Sequence, residues 1–207
     1  MKKLLLSTLA TLLCCALAWG QYVEPEPGKV YRILNAGRGY HCMAANYKTN
    51  IIETMTKSDN AYDQMWILEK AGSNSVYIKN GLTGKYIQYA TQMSELFRMA
   101  DTPKEFFIKN HAKDKKFYNI FTSSNGTRCF HASPSSQLVV WTPSATEPES
   151  SEWVFEDAGV SIDVLTEQQE IFYGKQQIIN NAEKYNGVLS EIFTDRSCSE
   201  LKAEYAA

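Results

Sequence analysis

Histidine is scarce in this 207-residue chain, and the three present, His41, His111 and His131, do not stand at metal-ligand spacing. An HExxH zinc helix is absent, as are a GxSxG elbow, a Walker-type phosphate loop and a dinucleotide fingerprint. The acids are scattered, and no carboxylate pair is marked out for glycosidic acid–base work. No catalytic residue is therefore nominated, and neither a metal nor a cofactor is expected. Charge of one sign is lacking too. Twenty-one Lys and Arg against 23 Asp and Glu give a formal charge of −2. Without a basic stripe, nucleic acid is not the expected partner. Beyond residue 20 no apolar run is long enough for a transmembrane helix, so no membrane span is expected.

Cysteine is sparse once the first residues are set aside. Lys2 and Lys3 precede an apolar stretch from Leu4 to Ala18, and Ala18-Trp19-Gly20 is a small-x-small site. This predicts a signal peptide over residues 1–20, cleaved before Gln21, and a secreted product, extracellular or periplasmic. Cys14 and Cys15 lack the small preceding residue of a lipobox, which favours simple secretion over a lipid anchor. Cleavage removes two lysines and takes the charge from −2 to −4. Cys42, Cys129 and Cys198 then remain, too few for a disulfide-built scaffold. Residues 21–165 are long enough to bury a self-sufficient hydrophobic core.

What is present is a repeat. Gly39, Gly84 and Gly126 each end a short apolar run: VYRILNAGRG, VYIKNGLTG and FYNIFTSSNG. A second run begins twelve residues after each glycine, at Ile51, Leu96 and Leu138. Each unit closes on an aromatic, Trp66, Phe107 or Trp153, at 27, 23 and 27 residues from its glycine. The runs are rich in Val, Ile, Tyr and Phe and bounded by Gly, Asn, Ser and Pro, which is strand and hairpin chemistry. Thr83-Gly84 and Asn125-Gly126 suit tight turns with positive φ. Asn125-Gly126-Thr127 also matches a glycosylation sequon, but the turn already accounts for it. One such unit cannot bury its own apolar face, whereas three around an axis can close a barrel. The expectation is an all-β domain over 21–159, with lobes at about 28–72, 73–114 and 115–158.

Gln64-Met65-Trp66, with Phe107 and Trp153 in weaker forms, resembles the QxW signature of ricin-B-type β-trefoils. GYHCMAA and GTRCFHA resemble that family's glycine-then-Cys-Leu-Asp strand. The resemblance covers roughly residues 28–158 and implies a β-trefoil that binds glycans or glycoproteins without catalysis. A sugar-binding lobe of the family uses an Asp two residues after the Cys, an aromatic platform late in the next strand, and an Asn before the QxW. The carboxylate and amide bond adjacent hydroxyls while the ring stacks on the sugar. Here the Asp position reads Ala44, Tyr89 and His131; the platform reads Thr54, Met99 and Trp141; the Asn position reads Asp63, Lys104 and Ser150. The third lobe comes closest, with Trp141, His131 and Ser150. The second offers Tyr86 and Tyr89, and the first is read as structural. Trp66 and Trp153 are expected in the core. Cys42 and Cys129 fall at equivalent positions, with Ile87 between them. They could form a bridge across the axis or remain two buried thiols.

From Val160 the pattern changes. Thr166-Glu167-Gln168-Gln169 can form a capping box, and Ile171, Ile178, Ala182, Tyr185, Leu189 and Ile192 recur at helical steps. Residues 160–207 are read as an amphipathic tail whose stripe must rest on the trefoil, on a partner or on a further domain. The tail is similar to segments that precede enhancin-like metallopeptidase domains, which implies an accessory role at the N-terminus of a larger secreted hydrolase. A protease inhibitor on a trefoil scaffold is the third functional alternative.

Overall fold

The computed structural model describes residues 22–88, 92–111, 114–143 and 148–184. The signal peptide expected over residues 1–20, Tyr89, Cys198 and the tail positions Tyr185, Leu189 and Ile192 lie outside the described residues.

Four short strands recur three times. The first lobe carries β1 (Val30–Asn35), β2 (His41–Asn46), β3 (Ile51–Met55) and β4 (Trp66–Lys70). The second carries β5 (Val76–Asn80), β6 (Tyr86–Gln88), β7 (Arg98–Ala100) and β8 (Phe107–Asn110). The third carries β9 (Tyr118–Phe121), β10 (Cys129–Ala132), β11 (Leu138–Trp141) and β12 (Trp153–Asp157). Six of them close a ring through the antiparallel contacts β1–β4, β4–β5, β8–β9, β9–β12 and β12–β1, with Val76 of β5 bridging Phe106, the residue just before β8. The remaining six form three hairpins, β2–β3, β6–β7 and β10–β11. Ile51–Arg98, Leu96–Val139 and Glu53–Gln137 bridge these hairpins to one another. Closing a ring and capping it removes exposed strand edges. This is the β-trefoil architecture.

Pairing register shows how strictly the lobes repeat. Tyr31–Trp66, Val76–Phe106 and Tyr118–Trp153 are the same pair in three lobes. Counting from them, three isoleucines coincide: Ile33, Ile78 and Ile120. So do Met43, Ile87 and Phe130, and likewise Ile52, Phe97 and Leu138. All nine are fully buried, as are Trp66, Phe106 and Trp153, and together they make up the centre of the core. Phe130 joins the layers by packing on Phe97 at 4.4 Å, on Phe106 at 5.0 Å and on Trp153 at 6.4 Å. The repeat glycines Gly39, Gly84 and Gly126 hold φ of 58°, 66° and 73°, values at which a side chain would be strained.

That register corrects three expectations. The closing aromatic of the second lobe is Phe106, not Phe107, which is half-buried. The residue equivalent to Cys42 and Cys129 is Tyr86, not Ile87, because Leu34–Cys42, Phe121–Cys129 and Lys79–Tyr86 are matching pairs. The strand partners of the three are Met55, Trp141 and Ala100. Thr54 and Met99 lie one residue off and are buried instead of forming a platform. The physical cause is period two: a one-residue slip moves a side chain to the opposite face. From Gly84 to Tyr86 the second lobe is one residue shorter than the first from Gly39 to Cys42 and the third from Gly126 to Cys129.

Side-chain amides fasten one lobe to the next. Asn35 Nδ2 donates to the carbonyls of Ser150 and Glu152, at 3.1 and 3.2 Å. Asn80 Nδ2 donates to those of Asp63 and Met65, at 2.8 and 3.4 Å. Thr122 stands at the third equivalent position.

Helix α1 (Ile162–Lys184) follows the trefoil. It starts before the predicted capping box: Ser161 Oγ accepts from the Val164 N–H at 3.4 Å, and Thr166 already lies inside the helix. Its docked face also differs from the predicted stripe. Leu165 is fully buried beside Val30, Met65 and Ala158. Gln169 Nε2 donates to Gly81 O at 2.9 Å, and Tyr173 Oη to Thr83 O at 2.6 Å. Ile171 and Ile178 face outward, each 43% exposed. Leu165 fills an apolar pocket at the start of α1, and further along the carbonyls of Gly81 and Thr83 face the helix and select donors there. Removing the hydroxyl in Tyr173→Phe is expected to lower amide-exchange protection over residues 169–176 about fivefold, the equivalent of ~1 kcal/mol. Native-state hydrogen exchange measures it.

Candidate functional site

The β10–β11 hairpin assembles the third-lobe residues. Cys129 opposes Trp141 and His131 opposes Val139, so the side chains of Cys129, His131 and Trp141 share one face. Trp141 ends its strand and is 36% exposed, whereas His131 is 8% exposed. The two rings lie 5.6 Å apart at 31°. Behind them, the 3-10 turn Pro148–Ser151 supplies a hydroxyl: His131 Nδ1 and Ser151 Oγ are 2.9 Å apart. Asn119 Nδ2 holds that turn by donating to Ser151 O at 2.8 Å. Ser150, the residue singled out by sequence, is buried in the same turn, with its carbonyl on Asn35. Gly37 permits this approach, since a Cβ there would lie 2.7 Å from Ser150 N. Arg38 closes the side by donating to Ala132 O at 3.0 Å. The result is an exposed indole face beside a buried imidazole and hydroxyl. Ser151 was missed because its role depends on which way the turn faces.

In the second lobe Tyr86 is committed to its neighbours. Its hydroxyl donates to Glu69 Oε2 at 2.9 Å, its ring meets Tyr77 edge-on at 6.2 Å, and Lys79 Nζ lies 5.6 Å above it. Burial, and then the bond to Glu69, push its hydroxyl pKa above the ordinary tyrosine value. Gln88 occupies the position equivalent to His131, and the small Ala100 occupies that of Trp141.

The first lobe carries Ala44 and Met55 at those positions. Gln64 works internally, donating to Thr56 O at 3.0 Å and accepting from the Ser58 N–H at 2.9 Å. Trp66 Nε1 donates to Met43 O at 2.8 Å, and Trp153 Nε1 makes the matching bond to Phe130 O at 3.3 Å. Both tryptophans are thus core residues.

Cys42 and Cys129 are free, buried thiols. Burial raises Cys42 to about 12, against a smaller lowering by Arg32. Burial raises Cys129 to about 11, partly offset by Ser151. Thiolate is the reactive form. Neither cysteine is therefore expected to alkylate with iodoacetamide at pH 7.5 in the native state, and both are expected to do so in denaturant; peptide mass mapping reads this. Among the described residues, no group of three His, Cys, Asp or Glu side chains could hold a metal ion. No helix among them is long and apolar enough to cross a membrane.

Ring, cap and threefold register define the class as β-trefoil, and solved structures agree. A ricin B-like lectin from Macrolepiota procera, in complex with lactose, aligns with a TM-score of 0.58 at 14% identity over 65% of this chain and 99% of its own. The Rhizoctonia solani agglutinin aligns at 0.53 with 16% identity, over 65% and 99%. An endo-β-galactosidase from Clostridium perfringens that releases GlcNAcα1-4Gal aligns at 0.53 with 14% identity; the match covers 62% of this chain and 32% of the enzyme. No protein-family model and no curated relative matches the sequence.

Proposed function

We propose that this chain is a secreted, non-catalytic carbohydrate-binding module that takes a glycan at its third lobe. One observation carries the reading: Trp141, over a third exposed, stands beside His131 and Ser151 on one face of the β10–β11 hairpin. A sugar ring has an apolar face and a hydroxyl edge. An indole stacks on the first, and the imidazole edge of His131, held from behind by the buried Ser151 hydroxyl, bonds the second. The lectin neighbours support this use of the fold, and the residues before Gln21 support export. Glycan-array binding lost in Trp141→Ala is the expected result; silence of the native protein across mucin-type and plant-type glycans would overturn it.

A second reading is an accessory module beside a larger secreted hydrolase. Ile171 and Ile178 support it, since these two large apolar side chains on the outer side of α1 are each 43% exposed. The endo-β-galactosidase, in which the matched part is about a third of the enzyme, offers a parallel. Under this reading the array stays silent, and the apolar side of α1 becomes protected only when a downstream domain is joined.

A further inference from the structure

Helix α1 and the trefoil leave a groove of about 310 Å³ between them. Pockets for small ligands start at about this size. Part of its lining is aromatic. Tyr47, from the turn joining β2 and β3, meets Phe172 of α1 edge-on at 5.2 Å and 78°. Tyr173 meets Phe172 at 5.3 Å and 68°. Tyr47 and Tyr173 are 41% and 43% exposed, so both rings have free surface. The rest is rich in amides, with Asn50 from the Tyr47 turn and Gln176 and Asn180 from α1. Among the described lining residues, Lys85 is the one with a charge.

This lining selects its ligand by chemistry. A lipid or apolar peptide would call for aliphatic walls, and among the described lining residues no side chain is aliphatic. With one lysine among several carboxamides, charge is the smaller part of what the lining offers. Carboxamides each offer a donor and an acceptor, which matches the paired capacity of hydroxyl groups. Aromatic faces beside them match a ring with one apolar side. Neutral saccharides combine those two features. The frame is also set in advance. Tyr173 Oη is held on Thr83 O at 2.6 Å, and Gln169 on Gly81 O at 2.9 Å. Asn50 sits in a tight turn with φ of 58°. A ligand would therefore find the two elements already joined, which lowers the ordering cost of binding.

We propose that the groove between α1 and the first two lobes is a separate saccharide site for a neutral mono- or disaccharide. It shares no residue with the Trp141 site and does not depend on it.

The test uses the whole chain, labelled with ¹⁵N and titrated with lactose, N,N′-diacetylchitobiose and mannobiose. The side-chain amide resonances of Asn50, Gln176 and Asn180 are followed. With at least one of the three sugars they are expected to shift saturably. The response should persist in Trp141→Ala and weaken about tenfold in Tyr47→Ala, while Tyr47→Phe keeps the ring and retains it. Silence with all three sugars would overturn the proposal. So would an unchanged response in Tyr47→Ala, or a response abolished by Trp141→Ala, which would assign the sugar to the third lobe. Contacts from residues 185–207 into the groove would make the chain's own tail the occupant and also refute it. An unchanged backbone amide spectrum for each variant shows that the fold is intact.

Discussion

Trp66→Ala is expected to lower folding stability by about 3–5 kcal/mol, read as a fall in the urea midpoint by far-UV circular dichroism. Three effects add. The substitution empties a fully buried position where β4 leaves the turn and meets β1. It removes an indole whose nitrogen donates to Met43 O at 2.8 Å, tying the β2–β3 hairpin to the ring. It also takes a wall from the core that all three lobes share. Against a total of about 5–15 kcal/mol for a domain, the loss brings the native state close to its limit. Trp66→Phe separates the parts: the ring volume largely stays, the donor is lost, and about 1 kcal/mol is the expected cost. Were Trp66→Ala to cost no more than an exposed substitution, the reading of Trp66 as a core residue would fail.

Trp141→Ala is expected to behave in the opposite way, with a large effect on binding and a small one on stability. The indole is over a third exposed at a strand end, so its loss should cost stability about 1 kcal/mol, well below the cost at Trp66. On the best array glycan, affinity is expected to fall at least tenfold, which corresponds to ~1.4 kcal/mol. Calorimetric titration of that glycan measures it. Trp141→Phe keeps a smaller stacking face and should fall between the two. A Trp141→Ala protein that binds as tightly as the native one would remove the third lobe as the site.

The parts legible in sequence were those with one physical cause. Gly39, Gly84 and Gly126 stand out because a positive φ admits few residues, and their recurrence exposes the threefold plan. Trp66 and Trp153 were readable as core because a large ring at the end of each unit has nowhere else to go. Register was harder. Phe106 and Phe107 are both aromatic, and only the pairing of Phe106 with Val76 decides between them. Thr54 and Met99 were misplaced by the same single step. The docked face of α1 was hidden because it is chosen by the carbonyls of Gly81 and Thr83, which no helical periodicity encodes. Tyr47 and Phe172 are distant in the chain, so the groove they border has no local signature at all.

The amides of Asn35 and Asn80 have a consequence for how the lobes could diverge. Each works as a latch: the first lobe latches the closing turn of the third, and the second latches that of the first. With Thr122 at the corresponding place, the joint between the second and third lobes lacks the asparagine latch. A latched turn must keep its length, because its carbonyls have to meet an amide from the next lobe. An unlatched turn is released from that demand. The second lobe, whose closing turn has no such latch, is also the one with the shorter spacing and with phenylalanine where the others carry tryptophan. One missing latch thus marks the place where a threefold molecule was free to become asymmetric.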